Sequence, residues 1–321
     1  MDFGDKGLVT IFGGSGFLGN HVTQAVARLG YRVRVAVRRP DLAGEVRMFG
    51  TQGQVQPVQA NVRNRESVFR AVHGADIVIN LSGILHESGR QRFMAVHAMG
   101  AKHVAEAAAA AGATTLIHMS ALGADAESQS AYARSKAMGE QEVLKAFPKA
   151  VIVRPSLVFG RDDGFFNLFG TIAHLSPVVP VIGGKSRFQP VYVGDVAEAI
   201  AAAVAGAAKP GTIYELGGPE IETMRELLER ILAESGRRRV LLPIPNGLAK
   251  FTGSIAQLMP WKLFSADQAV LLQQDNIVSE EATKQKRTLA GLGIAATAMD
   301  VVLPTYLWRF RKHGQFDSAN A

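Results

Sequence analysis

The sequence predicts an α/β protein, with a doubly wound parallel sheet followed by a smaller, partly interleaved C-terminal α+β lobe. Two observations lead to this fold class. Through the first half of the chain, short apolar runs rich in β-branched residues alternate with segments of helical spacing. The first of these runs also leads into closely spaced glycines and then into a helical pattern. Strands that alternate with helices are typical of right-handed crossovers on one parallel sheet.

The first strand and the glycines after it predict a nucleotide site. The apolar run Leu8–Phe12 is suited to a buried strand, and a helix-period pattern continues to Leu29. A backbone without Cβ atoms can approach a pyrophosphate closely, and the helix that follows offers unpaired N–H groups and its positive end to the anion. The combination predicts a Rossmann-type dinucleotide loop rather than a purely structural turn. The loop residues expected to contact the cofactor are Gly13, Gly14, Ser15, Gly16, Phe17, Leu18 and Gly19.

The rest of the chain divides into further elements of both kinds. Five more strands are predicted at residues 32–37, 55–59, 77–81, 115–119 and 150–153, with helices at 65–72, 92–111 and 132–147 between them. Further along, we expect strands at 190–193 and 212–216 and helices at 195–204 and 223–234, the last with Thr223 as N-cap and Glu226 completing a capping box. The predicted dinucleotide domain is 1–158, with 190–216 returning to it, and residues 159–189 and 217–321 form the C-terminal lobe.

Composition excludes several classes of protein. The chain has 321 residues, 47% of them apolar, and no cysteine, so it can bury a core but has no disulfide framework or thiolate metal site, and we expect no metal. No signal-peptide pattern or membrane-spanning apolar run is present, which favours a soluble or peripheral protein. The net charge of +7 comes without a recognition-helix pattern or an aromatic-basic ladder. A phosphate-bearing ligand, an acidic partner or an anionic membrane surface therefore fits better than nucleic acid.

The end of the second strand favours NADP(H) over NAD. A carboxylate at this point would accept hydrogen bonds from two ribose hydroxyls, whereas arginine pairs with a 2′-phosphate. Here Arg38 and Arg39 follow the strand, and the first acid is Asp41. The alternative is that both arginines are simply solvated before a proline turn. Later strand ends add further expected cofactor contacts, which are Asn61, Val62, Leu81, Ser82, Gly83 and Pro155.

A candidate catalytic trio follows the fifth strand. Ser120 closes that strand, and the motif YARSK places Tyr132 and Lys136 on one helix face. A nearby ammonium lowers the pKa of a phenol, and a serine hydroxyl can hold a carbonyl oxygen beside a nicotinamide. The three residues are predicted as orienting group, proton donor and electrostatic tuner, and all three are also expected to contact the cofactor.

Together these motifs resemble the short-chain dehydrogenase/reductase superfamily, in its extended and atypical branch. The resemblance is carried by the glycine loop, NLSG, Ser120, YARSK, the Arg154-Pro155 strand end and PVYVGDVAEAI. It implies that Gly13, Gly16 and Gly19 meet the pyrophosphate and that Arg38, with Arg39 as a second candidate, meets the 2′-phosphate. It also implies that Ser120, Tyr132 and Lys136 are the catalytic residues. His97 stands where the extended branch usually has asparagine. We expect it to be a packed or hydrogen-bonded residue rather than a catalytic one.

A second resemblance covers the later part of the chain. The stretches AVIVRPSLVFGRDDGFFNLF, QPVYVGDVA, ADQAVLLQQDNIVS and YLWRFRKHGQF look like the nucleotide-binding accessory subunits of respiratory complex I, in their alphaproteobacterial form. This resemblance implies an NADPH that is held tightly at the junction of the peripheral and membrane arms, with no turnover needed for respiration. It also implies a place at the inner face of the cytoplasmic membrane, with other complex I subunits as partners.

Three functions follow from these patterns, in order of preference. The first is a non-catalytic NADPH-binding subunit, docked through the apolar segment 248–264 and the aromatic-basic tail, with Trp261 and Trp308 as anchors. Ordinary packing inside the C-terminal lobe is the alternative for both segments. The second is a stand-alone NADP-dependent reductase, epimerase or dehydratase that uses the trio, although Tyr132 and Lys136 would also suit a grip on the nicotinamide ribose. The third is a redox sensor that changes partners.

Overall fold

A computed structural model describes residues 6–244 and 266–316 of the chain. The strands are β1 Leu8–Phe12, β2 Arg32–Val37, β3 Val55–Gln59, β4 Ile77–Asn80, β5 Thr115–Met119, β6 Val151–Pro155, β7 Val158–Phe159, β8 Val178–Ile182, β9 Arg187–Phe188, β10 Val191–Tyr192, β11 Ile213–Leu216, β12 Glu222–Thr223 and β13 Val240–Ile244. The helices are α1 Phe17–Arg28, α2 Arg65–Val72, α3 Met99–Ala110, α4 Ala131–Ala146, α5 Phe165–Leu175, α6 Val193–Val204, α7 Met224–Glu234, α8 Ala266–Leu271, α9 Glu280–Lys284, α10 Met299–Val302 and α11 Pro304–Leu307.

These elements form two compact units. The first contains the described residues up to Pro155, together with Val193–Leu216 and Ser279–Ala295. The second contains Ser156–Tyr192 and the described residues of the remaining segments, 217–278 and 296–321.

The largest difference from the sequence-based division is the segment 279–295, which is assigned there to the C-terminal lobe but lies in the first unit. Residues 156–158 and 190–192, which are assigned there to the dinucleotide domain, lie in the second unit. The reason for the placement of 279–295 is its pairing with β11. The Glu215 N–H donates to the Arg287 carbonyl over 2.9 Å, and the Arg287 guanidinium donates to the Ile213 carbonyl over 2.7 Å. Strand β11 is an edge strand of its sheet. The segment 279–295 therefore takes up backbone groups of β11 that could otherwise pair with a strand of another chain.

The first unit is built on one seven-stranded sheet. Its strand order is β11-β6-β5-β4-β1-β2-β3, and every neighbouring pair is parallel. The chain moves outward from β1 to β3 and then returns to place β4 on the other side of β1. This reversal creates a switch point between β1 and β4. Ligands of open α/β sheets bind at such a point, beyond the carboxyl ends of the strands. The predicted fold class, a Rossmann-type α/β protein, is confirmed.

The strands are buried because helices pack on the sheet. Val9, Ile11, Val35 and Ile79 have no exposed surface, as expected for strands of a parallel sheet covered on both faces. Most predicted boundaries agree with the structure to within two residues. The helix predicted over 92–111 is an exception, since its first part is a π-helical turn, Met94–Ala98, followed by α3.

The second unit has its own core of aromatic and aliphatic side chains. Helices α5 and α7 supply Phe166, Phe169 and Leu227, all of them buried. The predicted cap of α7 is confirmed, because Thr223 Oγ1 accepts from the Glu226 N–H while the Glu226 carboxylate accepts from the Thr223 N–H. The region 165–180, which the sequence shows only as apolar and proline-broken, contains α5 and the start of β8.

The aromatic part of the tail packs inside this second unit. Tyr306 and Leu307 are buried, and the Tyr306 hydroxyl donates to Asp163 over 2.6 Å. The Trp308 ring N–H donates to the Thr305 carbonyl. Ordinary packing, the alternative stated for this tail, therefore accounts for Tyr306 and Leu307. Trp261 and the segment 248–264 lie outside the described residues. Among the described helices, none is long and apolar enough to cross a membrane.

Candidate dinucleotide-binding site

A cavity of about 820 Å³ lies in the first unit and is lined by residues that follow β1, β2, β3 and β4. It contains the glycine loop at one wall and basic residues at another. The lining residues are Phe12, Gly13, Ser15, Gly16, Phe17, Leu18, Gly19, Ala36, Val37, Arg38, Arg39, Leu42, Ala43, Ala60, Asn61, Val62, Arg63, Leu81, Ser82, Gly83, Ile84, Gln91 and Val96.

Two glycines of the loop are required by the protein itself. Gly13 has φ +78°, in the left-handed region that L side chains rarely adopt, and a Cβ on it would lie 3.2 Å from the Leu81 carbonyl carbon. A Cβ on Gly19 would lie 2.1 Å from the Gly13 oxygen, so α1 could not approach the loop. Gly14 faces the interior, since its Cβ would meet Thr23 and Val35, and it is the one predicted loop residue outside the cavity lining.

Gly16 is different, because the protein leaves room for a side chain there. Its φ is −86°, and the nearest atom to a Cβ would be the Gly13 oxygen at 3.6 Å. Gly16 is also the N-cap of α1 and provides no side-chain cap, so the first N–H groups of the helix are available to an anion. A cradle that a Cβ would fill, at the start of a 12-residue helix, fits a pyrophosphate.

The basic wall contains three arginines in different situations. Arg39 is paired with Asp41 over 2.9 Å, and that hydrogen bond lowers the pKa of the Asp41 carboxyl. Arg63 donates to the Arg90 carbonyl over 2.9 Å. Arg38 is exposed and makes no hydrogen bond or ion pair within the described part of the chain. Of the two predicted 2′-phosphate residues, Arg38 is therefore the better placed to receive one.

The middle of the cavity is shaped by side chains that hold backbone turns. Asn61 Oδ1 accepts from the Arg63 N–H over 3.1 Å, and the Asn80 side chain accepts from the Ser82 N–H over the same distance. Val62 packs against Gly100, where a Cβ would come within 2.9 Å of it. The predicted stretch Leu81 to Gly83 lies in the cavity wall.

The trio lies beside the cavity rather than in its lining. Ser120 is buried, and its hydroxyl has no hydrogen-bond partner among the described residues. The Lys136 ammonium donates to the Met119 carbonyl over 3.2 Å and lies 5.9 Å from the centre of the Tyr132 ring. Gly83 lies in the cavity wall and also next to the trio, because a Cβ on it would be 3.6 Å from Lys136 Nζ. Pro155, at the end of β6, also lies outside the lining, and its carbonyl accepts from the Leu122 N–H.

Burial sets the protonation of this region. It lowers the pKa of Lys136 to about 8, an effect that the Glu140 carboxylate partly offsets. Burial, reinforced by the Lys136 charge, also lowers the pKa of His97 to about 2 and that of His118 to about 3. Both imidazoles are therefore neutral at physiological pH, and Lys136 is the cation beside Tyr132.

Comparison with known proteins identifies the family. The profile of the NAD dependent epimerase/dehydratase family matches residues 9–217. The chain belongs to this family. The match confirms the predicted membership of the extended short-chain dehydrogenase/reductases. The cofactor of that family is a nicotinamide dinucleotide.

The chain is also similar to curated proteins and, in fold, to solved structures. The mitochondrial NADH dehydrogenase (ubiquinone) 1 alpha subcomplex subunit 9 of Arabidopsis thaliana is 35% identical over 290 residues, 86% of this chain and 72% of that protein. A ceramide reductase of Caulobacter vibrioides is 37% identical over 201 residues, 61% of each chain. The structure of an NADPH-dependent quinone oxidoreductase of Escherichia coli complexed with NADPH aligns with a TM-score of 0.72 at 20% identity, over 93% of this chain and 98% of that one.

Several lining residues of the epimerase/dehydratase cavity were not predicted. Arg63 directly follows Asn61 and Val62, so its sequence position was a usable signal. Gln91 reaches the wall through a local bridge between Ser88 and Gln91, which no sequence pattern indicates. The other missed residues are Phe12, Ala36, Val37, Leu42, Ala43, Ala60, Ile84 and Val96. Within the residues described, no group of three or more His, Cys, Asp or Glu side chains is arranged so that it could hold a metal ion.

Replacing Gly16 separates binding from folding. We expect Gly16→Ala to leave the thermal midpoint within about 2 °C, since its backbone and its surroundings accept a Cβ, yet to weaken dinucleotide binding at least about tenfold because the methyl occupies the cradle. Isothermal titration with NADPH measures the affinity. Gly44→Ala is the matched control, since a Cβ there meets nothing within 4 Å and Gly44 lies outside the lining. Equal affinities for the two variants would contradict the assignment of the loop.

Proposed function

We propose that this protein is an NADPH-binding accessory subunit of NADH:ubiquinone oxidoreductase, respiratory complex I, in which the cofactor has a structural or sensing role. One observation carries the proposal: the similarity to the alpha subcomplex subunit 9 relative extends over 86% of the chain, well beyond the family match at 9–217. The relative is therefore matched in both units and not only in the dinucleotide fold that many enzymes share.

The site supports NADPH as the cofactor. The glycine loop and the start of α1 would hold the pyrophosphate, and Arg38 would pair with the 2′-phosphate. Asn61 and Val62 would meet the adenine end, and Tyr132 with Lys136 the nicotinamide ribose. The remaining proposed contacts are Ser15, Phe17, Leu18, Arg39, Leu81, Ser82, Gly83, Ser120 and Pro155. Bound NADPH would supply a hydride. The first acid after β2, Asp41, is paired with Arg39, so it is less available to accept hydrogen bonds from the two ribose hydroxyls of NAD.

The proposed partners are the complex I subunits at the junction of the peripheral and membrane arms, on the inner face of the cytoplasmic membrane. In the second unit, exposed apolar side chains support docking on a partner or a lipid headgroup surface. Leu175, Val240 and Leu242 are each at least half exposed, and β13, which carries two of them, directly follows the basic run 237–239. Exposed apolar groups beside cations are suited to an anionic interface.

Single substitutions test the cofactor assignment. We expect Arg38→Ala to weaken NADPH binding about tenfold or more while changing NADH binding by less than about twofold, because a charge-assisted pair with the 2′-phosphate contributes about 1.5–3 kcal/mol. Arg39→Ala is the matched control and should have the smaller effect, since its guanidinium is held by Asp41. Titration of each variant with both nucleotides gives the answer. A parallel loss for NADPH and NADH would remove Arg38 from the 2′-phosphate site.

Purification from the native membrane tests the subunit role. We expect the wild-type protein to co-purify with complex I and to carry NADPH. Truncation after Pro304 would remove buried Tyr306 and Leu307 and so is an unsuitable probe of docking. Leu242→Glu combined with Val240→Glu should instead reduce co-purification at least about fivefold by placing charge on an apolar interface, without changing NADPH affinity. Val301→Glu, exposed on α10, serves as control. A wild-type protein found free of the complex would contradict the proposal.

A second candidate function is a stand-alone NADP-dependent oxidoreductase, epimerase or dehydratase. The observation that favours it is the intact chemistry of the trio, with Lys136 close to the Tyr132 ring and a Ser120 hydroxyl that has no partner in the described part of the chain. Similarity to the ceramide reductase over 61% of the chain adds support. In this case Ser120 would orient a carbonyl, Tyr132 would donate the proton, and Lys136 would lower the pKa of that phenol.

The tyrosine and the pH dependence test this candidate together. With 9,10-phenanthrenequinone as carbonyl probe, we expect Tyr132→Phe to abolish any NADPH oxidation while NADPH stays bound. Wild-type activity should fall as the pH rises through about 8, because Lys136 then loses the proton that tunes the phenol. Lys136→Arg keeps the charge at all accessible pH values and should remove that inflection. Unchanged turnover in Tyr132→Phe would exclude Tyr132 from the mechanism.

A further inference from the structure

A continuous hydrogen-bond chain in the first unit runs from the cavity wall to the backbone of Tyr132. The Ile84 N–H donates to His97 Nε2 over 3.0 Å, His97 Nδ1 contacts the Ser135 hydroxyl over 2.9 Å, and that hydroxyl donates to the Tyr132 carbonyl over 2.7 Å. Ile84 lies in the cavity wall, whereas Tyr132 lies on α4. The chain therefore connects a residue of the cofactor wall with the backbone of the tyrosine.

The direction of this chain is fixed by chemistry. A backbone N–H can only donate, so His97 Nε2 accepts, and in a neutral imidazole the proton is then on Nδ1. Nδ1 donates to Ser135, which leaves the serine proton for the Tyr132 carbonyl. The imidazole is buried with 1% of its surface exposed, and burial keeps it neutral. Each link thus has one donor and one acceptor, and a side chain without both would break the chain.

The ring of His97 also restrains the ring of Tyr132. Phe93 stacks on His97 with ring centres 5.5 Å apart, and Tyr132 meets both rings edge-on, at 5.3 Å from His97 and 5.7 Å from Phe93. The π-helical turn Met94–Ala98 contains His97 and directly follows Phe93. A Cβ on Gly83 would lie 3.7 Å from His97 Nε2, so the imidazole also supports the wall beside Lys136.

We infer that His97 is a positioning residue that couples the cofactor wall at Gly83 and Ile84 to the orientation of Tyr132. This inference rests on the proposed NADPH site. It adds to that site His97, a residue that would not contact the cofactor directly. Because Gly83 is also close to Lys136, the coupling belongs to the nicotinamide end of the site. His97 should therefore affect the intact dinucleotide and leave a ligand that contains only the adenosine end unaffected.

Two replacements of His97 divide its functions. His97→Phe keeps a ring of similar size against Phe93 but removes both nitrogens, whereas His97→Gln keeps one acceptor and one donor. We expect His97→Phe to weaken NADPH binding about tenfold and to leave adenosine 2′,5′-bisphosphate binding unchanged. His97→Gln should recover NADPH affinity to within about threefold of wild type. Isothermal titration with both ligands measures the split, and thermal midpoints show that the variants fold.

His103→Phe is the matched comparison on the same helical segment. His103 Nδ1 bonds to the Val62 carbonyl over 2.8 Å, at the end of the cavity expected to hold adenine. This variant should weaken NADPH and adenosine 2′,5′-bisphosphate by the same factor. If His97→Phe also weakened both ligands equally, or if His97→Gln bound NADPH no better than His97→Phe, the positioning role would be wrong.

Amide hydrogen exchange tests the chain without any cofactor. In the ligand-free protein, the Ile84 amide should exchange at least about tenfold faster in His97→Phe than in wild type or His97→Gln, since a lost acceptor opens that bond. Ser135→Ala keeps the acceptor for Ile84 and should leave this amide protected. Equal Ile84 exchange in wild type and His97→Phe would overturn the inference. A wild-type protein that binds no NADPH but shows the expected exchange would instead contradict the proposed function and leave the coupling supported.

Discussion

The site depends on the close approach of α1 to the loop that precedes it. A Cβ on Gly19 would lie 2.1 Å from the Gly13 oxygen and 2.7 Å from the Gly14 carbonyl carbon, distances that no side chain can occupy. Because Gly19 is bare, the first turn of the helix lies against the loop and its free N–H groups are available to an anion. Gly13 then turns with positive φ toward the backbone after β4, at Leu81. The cavity is the space that remains beyond these contacts.

Charge is distributed unequally between the two ends of the proposed dinucleotide site. The exposed Arg38 stands at one end, where a phosphate can be matched by a solvated cation at small desolvation cost. At the other end the charged group is buried, because Lys136 lies among neutral His97 and His118 with its ammonium on the Met119 carbonyl. Keeping both imidazoles neutral avoids a cluster of like charges that the low dielectric would strongly disfavour. Lys136 consequently holds its place and its charge below about pH 8 before any ligand arrives.

The sequence predicts the parts of this arrangement that depend on local pattern. Strands β1, β2, β3 and β5 begin and end at the predicted residues, since β-branched runs between turn residues leave little freedom. The capping box of Thr223 and Glu226 is likewise a local signal. The glycine loop could be located from the sequence, but the separate roles of Gly14, Gly16 and Gly19 could not. Those roles depend on what each missing Cβ would meet, which is a property of the folded backbone.

Features that depend on distant pairing escaped prediction. His97 could be recognised as unusual, but the hydrogen-bond chain from Ile84 through His97 and Ser135 to the Tyr132 carbonyl joins three segments that are separate in the sequence. The placement of 279–295 in the first unit has the same origin, because Arg287 is hydrogen-bonded to Glu215 and Ile213 of β11, once through its carbonyl and once through its guanidinium. Such contacts form between residues far apart in the chain and leave no periodic trace.

The structure also bears on whether the cofactor is held or consumed. Tyr132 is fixed by two aromatic neighbours and Lys136 by a carbonyl, and this fixed geometry would suit the proposed grip on a ribose as well as the proposed proton transfer. Ser120 is the more informative residue. A buried hydroxyl without a partner among the described residues costs about 1–3 kcal/mol, and a ligand atom that reached it with a hydrogen bond would recover that cost. Under the proposed function, holding a dinucleotide would therefore use all three residues, and turnover would be an additional property that the Tyr132→Phe variant measures.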